Sequence, residues 1–151
     1  RVAVILAATL IVAACAQNKA QQTADANVTP GSAQDFVVNV GDRVFFETDS
    51  TSLTAQARDT LGKQAQWLSS YAKYTITVEG HADERGTRQY NLALGARRAN
   101  ATRDYLVSRG VSASRIKTIS YGKERPVAVC NDNSCWSQNR RAVTVLNNAS
   151  S

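Results

Sequence analysis

The chain predicts a small α/β sandwich: a βαβαβ core with a fourth strand, and two long helices packed on one mixed sheet. Three observations lead there. Apolar residues recur at near-helical spacing in two separate windows, short runs between them read as strands, and the two kinds of segment alternate along the chain. The folded domain is expected to open near Gly41. "RVFF", residues 43–46, reads as a short buried strand, and "ETDSTS" breaks it with turn and cap residues. Leu53, Ala57, Leu61, Ala65 and Leu68 follow at helical spacing, with Ser52 or Thr54 able to cap that helix. "YTITVEG", residues 74–80, alternates with β-branched residues and reads as a strand. Residues 91–109 read as the second helix, stopped by Gly110, with Leu92, Ala96, Ala99 and Leu106 near one face. "SASR", residues 112–115, makes a short helical turn, and "IKTISYG" is the third strand. A loop then leads to "RRAVTVL", residues 140–146, the fourth strand.

The 151 residues suit one domain plus something extra. A net charge of +6, from 18 basic and 12 acidic residues, favours an anionic partner without naming one. The opening run "RVAVILAATLIVAAC" carries one basic residue and then an apolar stretch too short to span a bilayer, which takes about 20 residues. It has the form of the hydrophobic region of a secretory signal. Its end, Val12-Ala13-Ala14-Cys15, resembles a bacterial lipobox, which places lipid on Cys15; an ordinary signal peptide with an incidental cysteine is the other reading. The expected organisation is an N-terminally truncated lipoprotein signal peptide (1–14), a lipidated Cys15 with a flexible tether (15–40), the folded domain (41–147) and a frayed tail (148–151). The tether rests on composition: residues 16–32 hold one strongly apolar residue, Val28, and no aromatic.

Export bears on the remaining cysteines. Cys130 and Cys135 flank Asn-Asp-Asn-Ser, which is turn-forming sequence, so a short-loop disulfide is expected, with a pair of free thiols as the alternative.

The chemistry concentrates in residues 77–106, "TVEGHADERGTRQYNLALGARRANATRDYL". A zinc deaminase pattern fails twice: position 83 is Asp rather than Glu, and four residues separate the cysteines rather than two. His81 is the sole histidine, while a catalytic zinc usually takes three protein ligands. Asp83 and Glu84 could act as acid and base, but no nucleophile pattern accompanies them. Nucleic acid is disfavoured by export and by acids interleaved among the arginines. A charged small ligand is left. Arginine pairs bidentately with a carboxylate and aspartate takes an ammonium, so one of each reads a zwitterion. Asp83 follows a strand; Arg97 and Arg98 lie on the next helix and point about 100° apart, so one of them alone can share a pocket with Asp83.

"VEGHADERGTRQYNLALGARRANA" resembles the signature of the OmpA-like peptidoglycan-binding domain. "VFFETDS", "ISYGKERPVAV" and "SQNRRAVTV" resemble further blocks of that family in the same order, from about Gly41 to Leu146. The resemblance implies a pocket for meso-diaminopimelate of the peptidoglycan stem peptide. Asp83 and Arg98 would form its central pair, Arg98 being chosen over Arg97 because it precedes "AN". Asp49, Phe46 and Ser50 would line the opposite wall, Asn91 and Leu94 would follow on the helix, and Arg141 would come from "NRR". His81 would be structural. "ETDS" departs from a more acidic family stretch, and the Cys130–Cys135 loop is not general in the family. The resemblance further implies a non-enzymatic, cofactor-free lipoprotein of the outer membrane, facing the periplasm. It would bind peptidoglycan as a monomeric domain, with TolB and other Tol components as partners, in envelope integrity and cell division. A periplasmic protein-interaction domain and a cell-wall hydrolase subunit are the competing classes.

Overall fold

A computed structural model describes residues 28–148. Its elements in chain order are a short helix α1 (Ala33–Asp35) continuing as a π-helical turn (Phe36–Val40), β1 (Arg43–Phe45), α2 (Ala55–Ser70), β2 (Ile76–His81), α3 (Arg88–Ser108), a 3₁₀ turn (Ala113–Arg115), β3 (Ile116–Gly122), α4 (Asn133–Asn139) and β4 (Arg141–Leu146). The four strands form one mixed sheet in the order β1-β4-β2-β3; β2 and β3 are parallel, and β4 runs antiparallel to both β1 and β2. This is the α/β architecture expected from the alternation of helical and extended patterns.

Each long helix starts where a threonine supplies an acceptor. Thr54 Oγ1 takes the N–H of Ala57 at 3.0 Å, and Thr87 Oγ1 takes that of Tyr90 at 3.1 Å. Of the two caps expected for α2, Thr54 is the one used. α3 begins at Arg88, earlier than expected, and Gly110 follows its end at φ 102°, a conformation glycine adopts without strain.

Ala57, Leu61, Ala65 and Leu68 of α2 pack with Val44, Phe46, Ile76, Val78, Ala99 and Leu106 in the core. The strand expected over residues 43–46 is buried only on alternate residues: Val44 and Phe46 point in, Phe45 points out. The face of α3 also differs from the apolar set. Ala99 and Leu106 are buried as expected, but Leu92 and Ala96 are half-buried, and the rest of the buried face is Asn91, Leu94, Gly95, Arg98 and Thr102. Asn91 and Arg98 can lie there because neighbouring backbone carbonyls take their N–H groups, which an apolar pattern cannot register.

Two expectations need correction. The tether was placed through residue 40 and the domain at Gly41, yet Phe36 is buried against Trp67, with ring centroids 4.9 Å apart. Trp67 Nε1 donates to Asp35 at 2.9 Å and the Tyr74 hydroxyl donates to the Gly31 carbonyl at 2.6 Å. One buried aromatic, contributing about 1.5–3 kcal/mol, helps dock this stretch, which lies mostly beyond the residues 16–32 whose composition argues for a tether. The loop before β4 also contains α4: Asp132 accepts the N–H of Ser134 at 2.8 Å and caps that helix instead of closing a turn. Cys130 and Cys135 are bonded, with Cα atoms 5.6 Å apart, as the short-loop reading expected. Cys15, the signal and the tether up to residue 27 lie outside the described residues. Among the described residues no helix is long and apolar enough to cross a membrane.

Candidate functional site

β2 and α3 approach so closely that a Cβ on Gly80 would lie inside the carbonyl of Gly95. That contact fixes the next turn of α3, and Arg98, under the loops that leave β1 and β2. Arg98 is completely buried. Its Nε donates to the Ser50 carbonyl at 2.9 Å, Nη1 to His81 at 2.9 Å and Nη2 to Glu47 at 3.1 Å, and Phe46 lies beneath, with its ring centroid 5.2 Å from the guanidinium carbon. Burial, and then the charge of Arg140, lowers its pKa to about 10, so it stays charged at neutral pH.

Beside it opens a cleft of about 300 Å³, lined by the backbone or side chains of the β1–α2 loop (Thr48, Asp49), the β2–α3 loop (Asp83, Arg85, Gly86) and α3 (Tyr90, Asn91, Leu94, Arg98). Asp49 sits at φ 54°, in the left-handed region that aspartate tolerates better than most residues, and its carboxylate accepts from the Tyr90 hydroxyl at 3.1 Å. Asn91 Nδ2 donates to the Arg85 and Thr87 carbonyls and so ties helix to loop. Burial alone would raise the Asp83 carboxyl; the side chain and backbone N–H of Arg85, together with Arg140, outweigh it and hold the group below its ordinary range.

Asp83, Arg98, Asp49, Asn91 and Leu94 therefore meet in one cleft, as expected. Arg98 is the arginine that enters, and Arg97 is exposed. Three expected residues stand elsewhere. Phe46 is buried behind Arg98 and faces a neighbouring cleft; Ser50 takes part through its backbone carbonyl. Arg141 lies outside the cleft, donating to the carbonyls of Asn139 and Arg125. Its neighbour Arg140 faces the site, with Nη1 3.4 Å from Asp83 and Nε 2.8 Å from the Phe46 carbonyl. Successive residues entering a strand point to opposite faces, so one arginine of the pair had to turn away from the site. Thr48, Arg85 and Tyr90 line the cleft, Arg140 reaches Asp83 and Trp136 backs Arg85, and none of the five is among the residues the resemblance implies; the sequence signal for Arg85 is its place between the acids and Gly86.

His81, read as structural, is buried with its Nε2 3.2 Å from Glu79 and its ring stacked on Tyr121. Among the described residues no group of three or more His, Cys, Asp or Glu is arranged to hold a metal.

A mixed four-stranded sheet, two long helices and an Asp–Arg cleft at the exit of β2 define the class. Residues 45–141 match the OmpA family, and the chain belongs to it. It is 64% identical over 157 residues to the "Peptidoglycan-associated lipoprotein" of Mesorhizobium japonicum, covering 99% of this chain and 94% of that protein. It is 76% identical over 123 residues to the protein of the same name from Agrobacterium fabrum, covering 82% and 70%. The crystal structure of the peptidoglycan-associated lipoprotein from Burkholderia pseudomallei superposes with a TM-score of 0.68 at 43% identity, over 70% of this chain and 90% of that one.

Proposed function

We propose that the chain is an outer-membrane lipoprotein that grips peptidoglycan noncovalently and couples membrane to wall. Residues 1–14 serve as the signal, lipid on Cys15 holds the protein to the periplasmic face of the outer membrane, and the following segment connects lipid to domain. The protein works without catalysis or cofactor, and TolB and other components of the Tol–Pal system are its protein partners in envelope integrity and cell division.

The observation that carries this reading is the cleft itself. A zwitterion needs a cationic and an anionic site about one amino acid apart, and Asp83 and Arg98 line one cavity of that scale. Arginine has five N–H donors; three of those of Arg98 hold carbonyls, and two are left for a ligand carboxylate. Asp83 takes the ammonium. Free meso-diaminopimelate termini in the stem peptide carry both groups on one carbon. The names of the relatives support the same ligand class.

Sedimentation of the chain with purified sacculi tests the reading against a domain that binds protein alone. Cosedimentation that free meso-diaminopimelate competes away is expected. A protein left in the supernatant at every sacculus concentration contradicts it, and release of soluble muropeptides would indicate a hydrolase.

A further inference from the structure

The carboxylate of Asp83 is already saturated. An ionised carboxylate offers about four acceptor positions. Four donors reach this one: the Arg85 backbone N–H at 3.1 Å, Arg85 Nε at 3.1 Å, Arg85 Nη2 at 2.8 Å and Arg140 Nη1 at 3.4 Å. An ammonium group arriving at Asp83 has to displace one of them. The two arginines differ in how readily they yield. The Arg140 side chain is 6% exposed and fastened to the Phe46 carbonyl, whereas that of Arg85 is 41% exposed. Arg85 Nη2 also lies 3.4 Å from Thr48 Oγ1 on the facing loop, so this side chain bridges two walls of the cleft.

Arg85 is braced from outside the cleft. The ring of Trp136 stands 4.1 Å from its guanidinium carbon, a cation–π distance. The indole N–H of Trp136 donates to Glu84 Oε1 at 2.9 Å, which fastens α4 to the β2–α3 loop. Trp136 directly follows Cys135, so the Cys130–Cys135 disulfide closes the backbone immediately before it. Trp136 itself does not line the cleft.

Resting on the zwitterion reading above, we infer that Arg85 is a built-in competitor for the ligand's ammonium group, and that Trp136, on its disulfide-anchored helix, sets how firmly this competitor is held. Apparent affinity is then the intrinsic affinity reduced by the fraction of molecules in which Arg85 has left Asp83. Loosening the brace strengthens binding of ammonium-bearing ligands and leaves ligands without that group unmoved. An Arg85 that instead contacted a ligand carboxylate would act with the opposite sign, since its removal would weaken binding.

The test is a calorimetric titration of the full chain with a meso-diaminopimelate tripeptide, and with the same tripeptide acetylated on its free side-chain amine. Wild type, Arg85→Gln, Trp136→Leu and Trp136→Phe are compared, each with a thermal melt by circular dichroism. Arg85→Gln and Trp136→Leu should bind the free-amine peptide more tightly, by roughly 3- to 10-fold. Trp136→Phe, which keeps a ring against Arg85, should gain less, and the acetylated peptide should bind all four alike. Arg85 is partly exposed, so Arg85→Gln carries the test even if Trp136→Leu melts early. Unchanged or weaker binding by Arg85→Gln, with wild-type binding intact, overturns the competitor and leaves the zwitterion reading standing. An equal gain for both peptides also overturns it, because access rather than ammonium competition would then be at work. No binding of either peptide by any of the proteins overturns both readings.

Discussion

Arg98 Nη1 donates to the carbonyl of His81 at 2.9 Å, joining the middle of α3 to the last residue of β2. The same guanidinium holds the carbonyls of Glu47 and Ser50, so one side chain fixes both loops of the cleft. Arg98→Ala removes three donors at once, and each stranded buried carbonyl costs about 1–3 kcal/mol. Two of these carbonyls belong to residues that are not fully buried, which moderates the sum. Urea unfolding should show a loss of about 2–4 kcal/mol. Arg97→Ala, on the exposed face, should stay within about 0.5 kcal/mol of wild type. A loss for Arg98→Ala no larger than that of Arg97→Ala, within about 0.5 kcal/mol of wild type, would mean that the bonds of Arg98 contribute little to the fold.

Gly80 and Gly95 set the distance between β2 and α3. A Cβ on Gly95 would overlap Ser120 Oγ and press on the Gly80 carbonyl. Gly95→Ala should therefore destabilise by about 2–4 kcal/mol despite alanine's better helix propensity. Gly62, in the interior of α2, is the control. A Cβ there meets Arg109 Nη2 at 3.7 Å, an ordinary contact, so Gly62→Ala should stabilise by about 0.5–1 kcal/mol. Denaturation midpoints of the two variants should move in opposite directions.

His81 makes stability depend on pH. Burial, followed by the charge of Arg141, pushes its pKa down to about 4 against a partial opposing pull from Glu79. An unfolded chain titrates this histidine near 6.5. Between those values the unfolded state binds a proton that the folded state refuses, so stability rises with pH across this window. Acidifying from pH 7 to pH 4 should cost on the order of 3 kcal/mol through this residue. Unfolding measured at half-unit steps should show the slope in wild type and lose most of it in His81→Gln. An identical slope in both proteins would assign the acid sensitivity to other groups.

The sheet was legible because β2, β3 and β4 alternate or cluster β-branched residues over whole strands, and α2 because its leucines and alanines repeat at one spacing. α4 was not legible: it has seven residues, too few for a periodicity, and its capping Asp132 belongs equally to turn chemistry. Phe36 was missed for a different reason: the compositional case for a tether covers residues 16–32, and carrying the tether on to residue 40 passed over the apolar run Phe36-Val37-Val38. The site followed a different logic. Asp83 and Arg98 came together through family resemblance, because pattern alone assigns a helix arginine to solvent. Both arginines of the pair are buried, and which of them faces the cleft is set by the strand they enter; that decided Arg140 over Arg141. The engagement of Asp83 by Arg85 needed coordinates, since it depends on the backbone turn between them.

The central claim is that Asp83 and Arg98 read a zwitterion, and one titration tests it most directly: the chain against stem peptides ending in meso-diaminopimelate and in lysine. Both carry the amine that Asp83 takes, but the lysine stem lacks the carboxylate for Arg98. Losing a charged hydrogen-bond partner costs about 1.5–3 kcal/mol, or roughly 10- to 150-fold in affinity. The diaminopimelate stem should bind more tightly by that factor, and Arg98→Lys, which keeps charge but loses the planar fork, should narrow the gap. Equal affinity of wild type for the two stems would contradict the account.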